Sequence, residues 1–94
     1  MYILECSDRS LSVGSTWDLD RRLAQHQAGE GAVYTKNRLP VRLLHFEHYE
    51  RIENAFLREK QVQRWGRAKR LALVKGQTEK LKPLSRKIRR DEDR

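Results

Sequence analysis

The sequence predicts a small α+β domain, and three observations carry that reading. Two β-compatible runs open the chain, at residues 1–6 and 11–15. Two stretches with apolar residues at three- and four-residue spacing follow, over about 16–27 and 51–65. A third β-compatible run, residues 41–49, lies between them, so strands and helices mix along one short chain. With a short basic helix after the second of these, the expected order is ββαβαα.

Met1 through Cys6 is apolar, and Ser7-Asp8-Arg9-Ser10 supplies turn chemistry after it. In the second run Leu11 and Val13 alternate with Ser12 and Gly14, which makes a hairpin the expected product. Ser15 or Thr16 is expected to cap the first helix, with Asp18 in its first turn. Near Gln27 the segment Ala28-Gly29-Glu30-Gly31 offers glycines for a left-handed exit. The helical wheel groups Leu19, Leu23 and His26 inward, with Arg22 beside them. Residues 32–38 read as a basic loop carrying Tyr34, Lys36 and Arg38, ended by Pro40.

On the second helix Ile52, Ala55, Phe56, Val62 and Trp65 form the expected apolar stripe, and Glu59 falls on it. Gly66 interrupts, and residues 67–75 read as a short basic helix with Leu71, Leu73 and Val74 inward, closed by Gly76. Beyond residue 76 hydrophobicity collapses. The expected division is a folded domain over 1–76 and a basic tail over 77–94, disordered or a mobile arm.

The 94 residues suffice for one modest core, because only 37% are apolar and 36% are charged. A net charge of +8 favours a polyanionic partner, since each neutralised phosphate releases counterions. One cysteine excludes an internal disulfide and a cysteine-based zinc site. Cys6 ends an apolar run and reads as a small core residue. No signal peptide or membrane-spanning run is visible, so a cytosolic protein without a membrane partner is expected. Phosphate-binding loop, dinucleotide and serine-triad motifs are absent from the sequence.

Glu59 is the costliest residue in the pattern. A carboxylate on an apolar stripe needs a partner, a metal or a raised pKa. Two readings are open: a structural one, at the stripe's edge or paired with a cation such as Arg22, and a hard oxygen ligand for Mg²⁺. Arg22 and His26 stand one turn apart and project the same way. An arginine fork matches a phosphate, and a histidine beside it can relay a proton. With Glu59 they point to phosphodiester hydrolysis, although Arg22 read alone is a surface cation and His26 a satisfied core histidine. Trp65 reads as core packing, with Arg67, Lys69 and Arg70 behind it as phosphate contacts.

Taken in order, the segments Tyr2-Ile-Leu-Glu-Cys, Ser12-Val-Gly-Ser-Thr, Asp18-Leu-Asp-Arg-Arg-Leu-Ala-Gln-His26 and Gly31-Ala-Val-Tyr-Thr35 form a signature. Pro40-Val-Arg-Leu-Leu, Leu57-Arg-Glu-Lys-Gln-Val and Trp65-Gly-Arg-Ala-Lys continue it. The set resembles the GIY-YIG nuclease superfamily in its small single-domain branch, the UPF0213 proteins, over about residues 1–76. The resemblance implies a three-stranded antiparallel sheet flanked by helices and one divalent metal, Mg²⁺ or Mn²⁺. It implies an endonuclease acting on DNA, of the kind used in repair or recombination. By the same resemblance Glu59 is the metal ligand and Arg22 the phosphate contact. His26 and Tyr34 lie around the site, and Tyr2 is the tyrosine of the first motif half. Lys36, Arg38, Arg64, Arg67, Lys69 and Arg70 are the cations expected along the nucleic acid.

Two departures stand out. Ser12 occupies the place of the second-motif tyrosine, and a hydroxyl of far higher pKa and shorter reach does not replace a phenol. Gln63 stands where relatives often carry lysine, with Arg64 next to it. Besides the endonuclease, a degenerate member that binds nucleic acid without cutting it is therefore an alternative. A third reading is an interaction module that engages protein or RNA through its tail.

Overall fold

In a computed structural model the described residues are 1–76. The basic tail expected over 77–94 lies outside them. The element order is β1 (Tyr2–Glu5), β2 (Leu11–Gly14), α1 (Leu19–Gln27), α2 (Val33–Lys36), β3 (Arg42–Phe46), α3 (Ile52–Gln63) and α4 (Arg67–Val74). The chain divides into two compact units after Arg64. No helix among the described residues is long and apolar enough to cross a membrane.

The first unit holds an antiparallel sheet of order β2-β1-β3. The Asp8 side chain accepts from the Ser10 amide to tighten the β1–β2 turn, as the turn residues predict. Alternation on the central strand sends Tyr2, Leu4 and Cys6 to one face, where they form a core with Val41. Leu19 and Leu23 of α1 pack on that core, with Leu39 and Leu43. Ile3 points the other way and is fully buried, and α3 packs along β2. Cys6 is a buried free thiol whose pKa burial pushes up, consistent with a core role.

β3 is irregular. Leu4 pairs with Leu43 while Ile3 pairs with His45, so Leu44 is an inserted residue. Leu43 and Phe46, three positions apart, would face opposite sides of a regular strand. The bulge puts both on the Tyr2 face.

Four details differ from the sequence expectation, each for a local reason. Asp18, not Ser15 or Thr16, is the N-cap of α1, accepting from the Arg21 amide. Thr16 serves one step earlier, its hydroxyl accepting from the Asp18 amide. Residues 33–36 form the short helix α2 rather than a loop, so the order is ββααβαα. On α3 the buried positions are Ala55, Arg58 and Val62, while Phe56 is half exposed, so the inner face is turned away from Phe56. In the second unit, α4 buries Leu73 as expected, together with Ala72, while Leu71 and Val74 are only half-buried. Lys69 lies over the buried Trp65 ring, 5.9 Å from its centroid.

Arg58 is inside because Glu47 meets it there. Its Nε and Nη2 donate to the two Glu47 oxygens at 2.9 and 3.1 Å. Tyr49 donates to the same carboxylate at 2.7 Å, and His45 Nε2 lies 2.9 Å from it. Burial alone would push the Glu47 carboxyl up. The His45 and Arg58 hydrogen bonds, the Arg58 charge and the Tyr49 hydroxyl outweigh it and hold the pKa at about 2, from 4.5. A pKa lower in the folded state means that the ionised carboxylate favours folding. That contribution is complete above the unfolded value of 4.5 and is lost as pH falls from there toward 2. Arg58→Ala is expected to cost about 3–5 kcal/mol in urea unfolding, because it strands a buried charge. Glu47→Gln is expected to flatten the acid side of the stability profile, measured as urea midpoints from neutral pH to about pH 3.

Candidate active site

His26 is buried at the inner end of α1 with a polar ring that needs partners on both nitrogens. Its Nε2 lies 3.0 Å from the Tyr2 hydroxyl, and its Nδ1 lies 2.8 Å from Thr35 Oγ1. The Thr35 hydroxyl also lies 3.0 Å from the Ala32 carbonyl, which can only accept. The threonine proton therefore goes to Ala32, and Nδ1–H of the imidazole donates to Thr35. Nε2 of the neutral ring is then bare and accepts the Tyr2 proton. Burial, and next the Arg22 charge, push the His26 pKa below its ordinary 6.5, so the ring is neutral at pH 7. A phenol whose proton already leans onto a neutral imidazole can take a proton from a water.

Two glycines make room for this line of groups. A Cβ on Gly14 would stand 2.5 Å from the Tyr2 hydroxyl, and one on Gly31 would stand 2.3 Å from His26 Nδ1. Gly31 thus serves the imidazole and not the helix exit. The exit falls to Gly29, at φ +78°, where the Gly29 and Glu30 amides close back on His26 and Gln25.

Glu59 is half-buried at the border of the inner face of α3, four residues from Ala55 and three from Val62. That is the edge position left open by the sequence. Ser15 donates to its Oε1 at 2.6 Å and Gln63 to its Oε2 at 2.8 Å. Both are neutral donors, which orient the carboxylate without cancelling its charge. The Gln63 amide also reaches the Val13 carbonyl, at 3.2 Å, pinning α3 to β2. Ser15 follows Gly14 directly in the chain. One peptide unit at the end of β2 therefore links the Tyr2–His26–Thr35 line to the Glu59 carboxylate.

Arg22 is half-buried one turn before His26, and its Nη1 donates to Gln25 at 3.2 Å. No hydrogen bond or ion pair joins it to Glu59 among the described residues. Tyr34 stands outside the buried line: the Arg38 guanidinium covers its ring at 3.9 Å. Arg38 is further engaged by Asp8 at 3.1 Å and by the Tyr34 carbonyl at 2.9 Å. Lys36 and Arg64 are exposed. Arg67 and Lys69 are exposed on the second unit, with Arg70 half-buried. Thr35, Ser15 and Gly31 were not assigned to the site by sequence reasoning. A hydroxyl three residues after Ala32, able to bond back to its carbonyl, is the signal that points to Thr35.

Comparison with known proteins supports the same architecture. Residues 1–72 match the GIY-YIG catalytic domain. A UPF0213 protein of Haloquadratum walsbyi is 44% identical over 84% of this chain and 89% of its own. One from Syntrophus aciditrophicus is 42% identical over 86% and 94%, and one from Natronomonas pharaonis 42% over 83% and 92%. No solved structure gives a significant match. The chain belongs to the GIY-YIG family, within its UPF0213 group.

The tautomer is open to direct measurement. Imidazole ¹⁵N shifts at neutral pH are expected to show His26 protonated on Nδ1 and bare on Nε2. In Thr35→Val, which removes the acceptor, that preference is expected to weaken. A wild-type ring protonated on Nε2 would contradict the assignment.

Proposed function

We propose that this domain is a metal-dependent endonuclease that hydrolyses phosphodiester bonds in DNA. One observation carries the reading: the end of β2 joins a proton-accepting phenol–imidazole pair to an oriented, half-buried carboxylate. Phosphodiester hydrolysis needs these two elements, one to accept the proton of a water and one to place a cation on the phosphate.

The donor set fits a hard cation. Among the described residues no group of three or more His, Cys, Asp or Glu forms a closed cage. A single carboxylate suits Mg²⁺ or Mn²⁺, which keep most of their waters and accept phosphate oxygens. Glu59 would hold the ion, which when bound supplies Lewis acidity at the phosphate and leaving oxygen. Gln63 fits this role: a lysine there would place a positive charge beside Glu59, whereas the amide orients it and leaves the charge for the ion.

The chain's own residues do the rest. Arg22 contacts a phosphate oxygen, and its charge adds to burial in lowering the His26 pKa. Tyr2 takes the proton of the attacking water and passes its own to Nε2 of His26. Thr35 holds the imidazole in the tautomer that can receive it. Ser12 pairs with Leu4 on the sheet face that Tyr2 shares. Tyr2 therefore supplies the phenol that the second motif half lacks. Lys36, Arg64, Arg67, Lys69 and Arg70 contribute to phosphate attraction.

Labelled DNA incubated with Mn²⁺ is expected to be nicked by the wild-type protein. Glu59→Ala and Arg22→Ala are each expected to lower the rate by at least about a hundredfold. Equal cleavage by Glu59→Ala would overturn its assignment. Salt-sensitive binding without metal-dependent product would establish a binding domain in place of a nuclease.

A further inference from the structure

Trp17 is 81% exposed and Phe46 is 59% exposed, although both side chains are large and apolar. They line one open groove of about 300 Å³, and Tyr2 belongs to the same lining. Neither exposure comes from a slack backbone. Trp17 lies inside the turn closed by the Thr16 hydroxyl on the Asp18 amide. Phe46 pairs with Tyr2 across the sheet, on the face to which the bulge at Leu44 turns it.

We infer that Trp17 and Phe46 form a nucleobase subsite, in which an unpaired base stacks beside Tyr2. The inference rests on the phosphodiester reading of that site and adds its substrate class, single-stranded or locally unpaired nucleic acid. Charge selects the part of the nucleotide that enters. The lining holds Glu50 and the already paired Glu47 but no lysine or arginine, so it offers a phosphate no cationic fork and presents its exposed rings to an uncharged aromatic group. The net charge of +8 draws the backbone to other parts of the surface. Continuity through Tyr2 places the base next to the bond to be broken. A base paired within a duplex cannot enter such a groove, and a free one can.

The test separates this inference from the nuclease assignment by measuring binding in EDTA, where metal-dependent cleavage cannot occur. Fluorescence anisotropy follows three labelled probes of equal length: a single strand, the same backbone with abasic sites, and a duplex. Wild-type protein is expected to bind the single strand more tightly than either of the others. Trp17→Ala is expected to weaken single-strand binding at least about fivefold while leaving abasic binding unchanged. Phe46→Ala is expected to act in the same direction, and circular dichroism checks that both variants fold. Equal wild-type affinity for abasic and base-bearing strands would overturn the subsite, as would unchanged single-strand binding by Trp17→Ala. Displacement of the single strand by an apolar peptide and not by free nucleobases would also overturn it, assigning the groove to a protein partner. A base-dependent difference without any cleavage in Mn²⁺ would uphold the subsite and defeat the nuclease reading alone.

Discussion

A buried imidazole with two ring nitrogens to satisfy organises this fold. His26 meets Tyr2 on one side and Thr35 on the other, so β1, α1 and α2 share one line of hydrogen bonds. An unpaired buried group of this kind costs about 1–3 kcal/mol, which is large beside the net stability of a small domain. The requirement for close approach explains Gly14 and Gly31, where a methyl group would collide with the line. It also fixes the tautomer, and with it the direction in which a proton can move.

The second constraint is charge in a chain with little apolar surface. The Glu47–Arg58 cluster ties the exit of β3 to α3 with an ion pair where a larger protein would use a wider core. Glu59, one residue after Arg58, has a different fate because it receives neutral donors. Adjacent positions on one helix thus separate a cation held in an ion pair from a carboxylate held by neutral donors. The Gly14–Ser15 step carries this carboxylate to the same end of β2 as the phenol. The groove with Trp17 and Phe46 opens beside it.

Much of the fold was legible because it depends on periodicity. The apolar run over residues 1–6, the turn residues after it and the alternation over 11–15 marked the hairpin, and Leu19, Leu23 and His26 marked the inner side of α1. The family resemblance supplied the sheet, and the match over residues 1–72 bears it out. Other features leave no periodic trace. α2 is four residues long, less than a repeat of an amphipathic pattern. The inward turn of Arg58 depends on Glu47, eleven residues away in the segment that leaves β3. Phe56 reads as core because it is apolar at helical spacing, whereas the Glu47 ion pair turns Arg58 inward and leaves Phe56 half exposed. The Leu44 bulge and the collisions avoided at Gly14 and Gly31 are properties of three-dimensional approach. The residues of the site were visible as types, while their connections through Thr35, Ser15 and Gln63 required coordinates.

The pH dependence of single-turnover cleavage tests the central claim most directly. If Tyr2 passes a proton to a neutral His26, the rate rises with pH as the imidazole loses its proton. Because burial and Arg22 lower that pKa, the midpoint of the rise is expected to lie below the ordinary histidine value of 6.5. Tyr2→Phe is expected to slow cleavage and to remove this limb. A wild-type limb centred above pH 7, or one unchanged in Tyr2→Phe, would contradict the account.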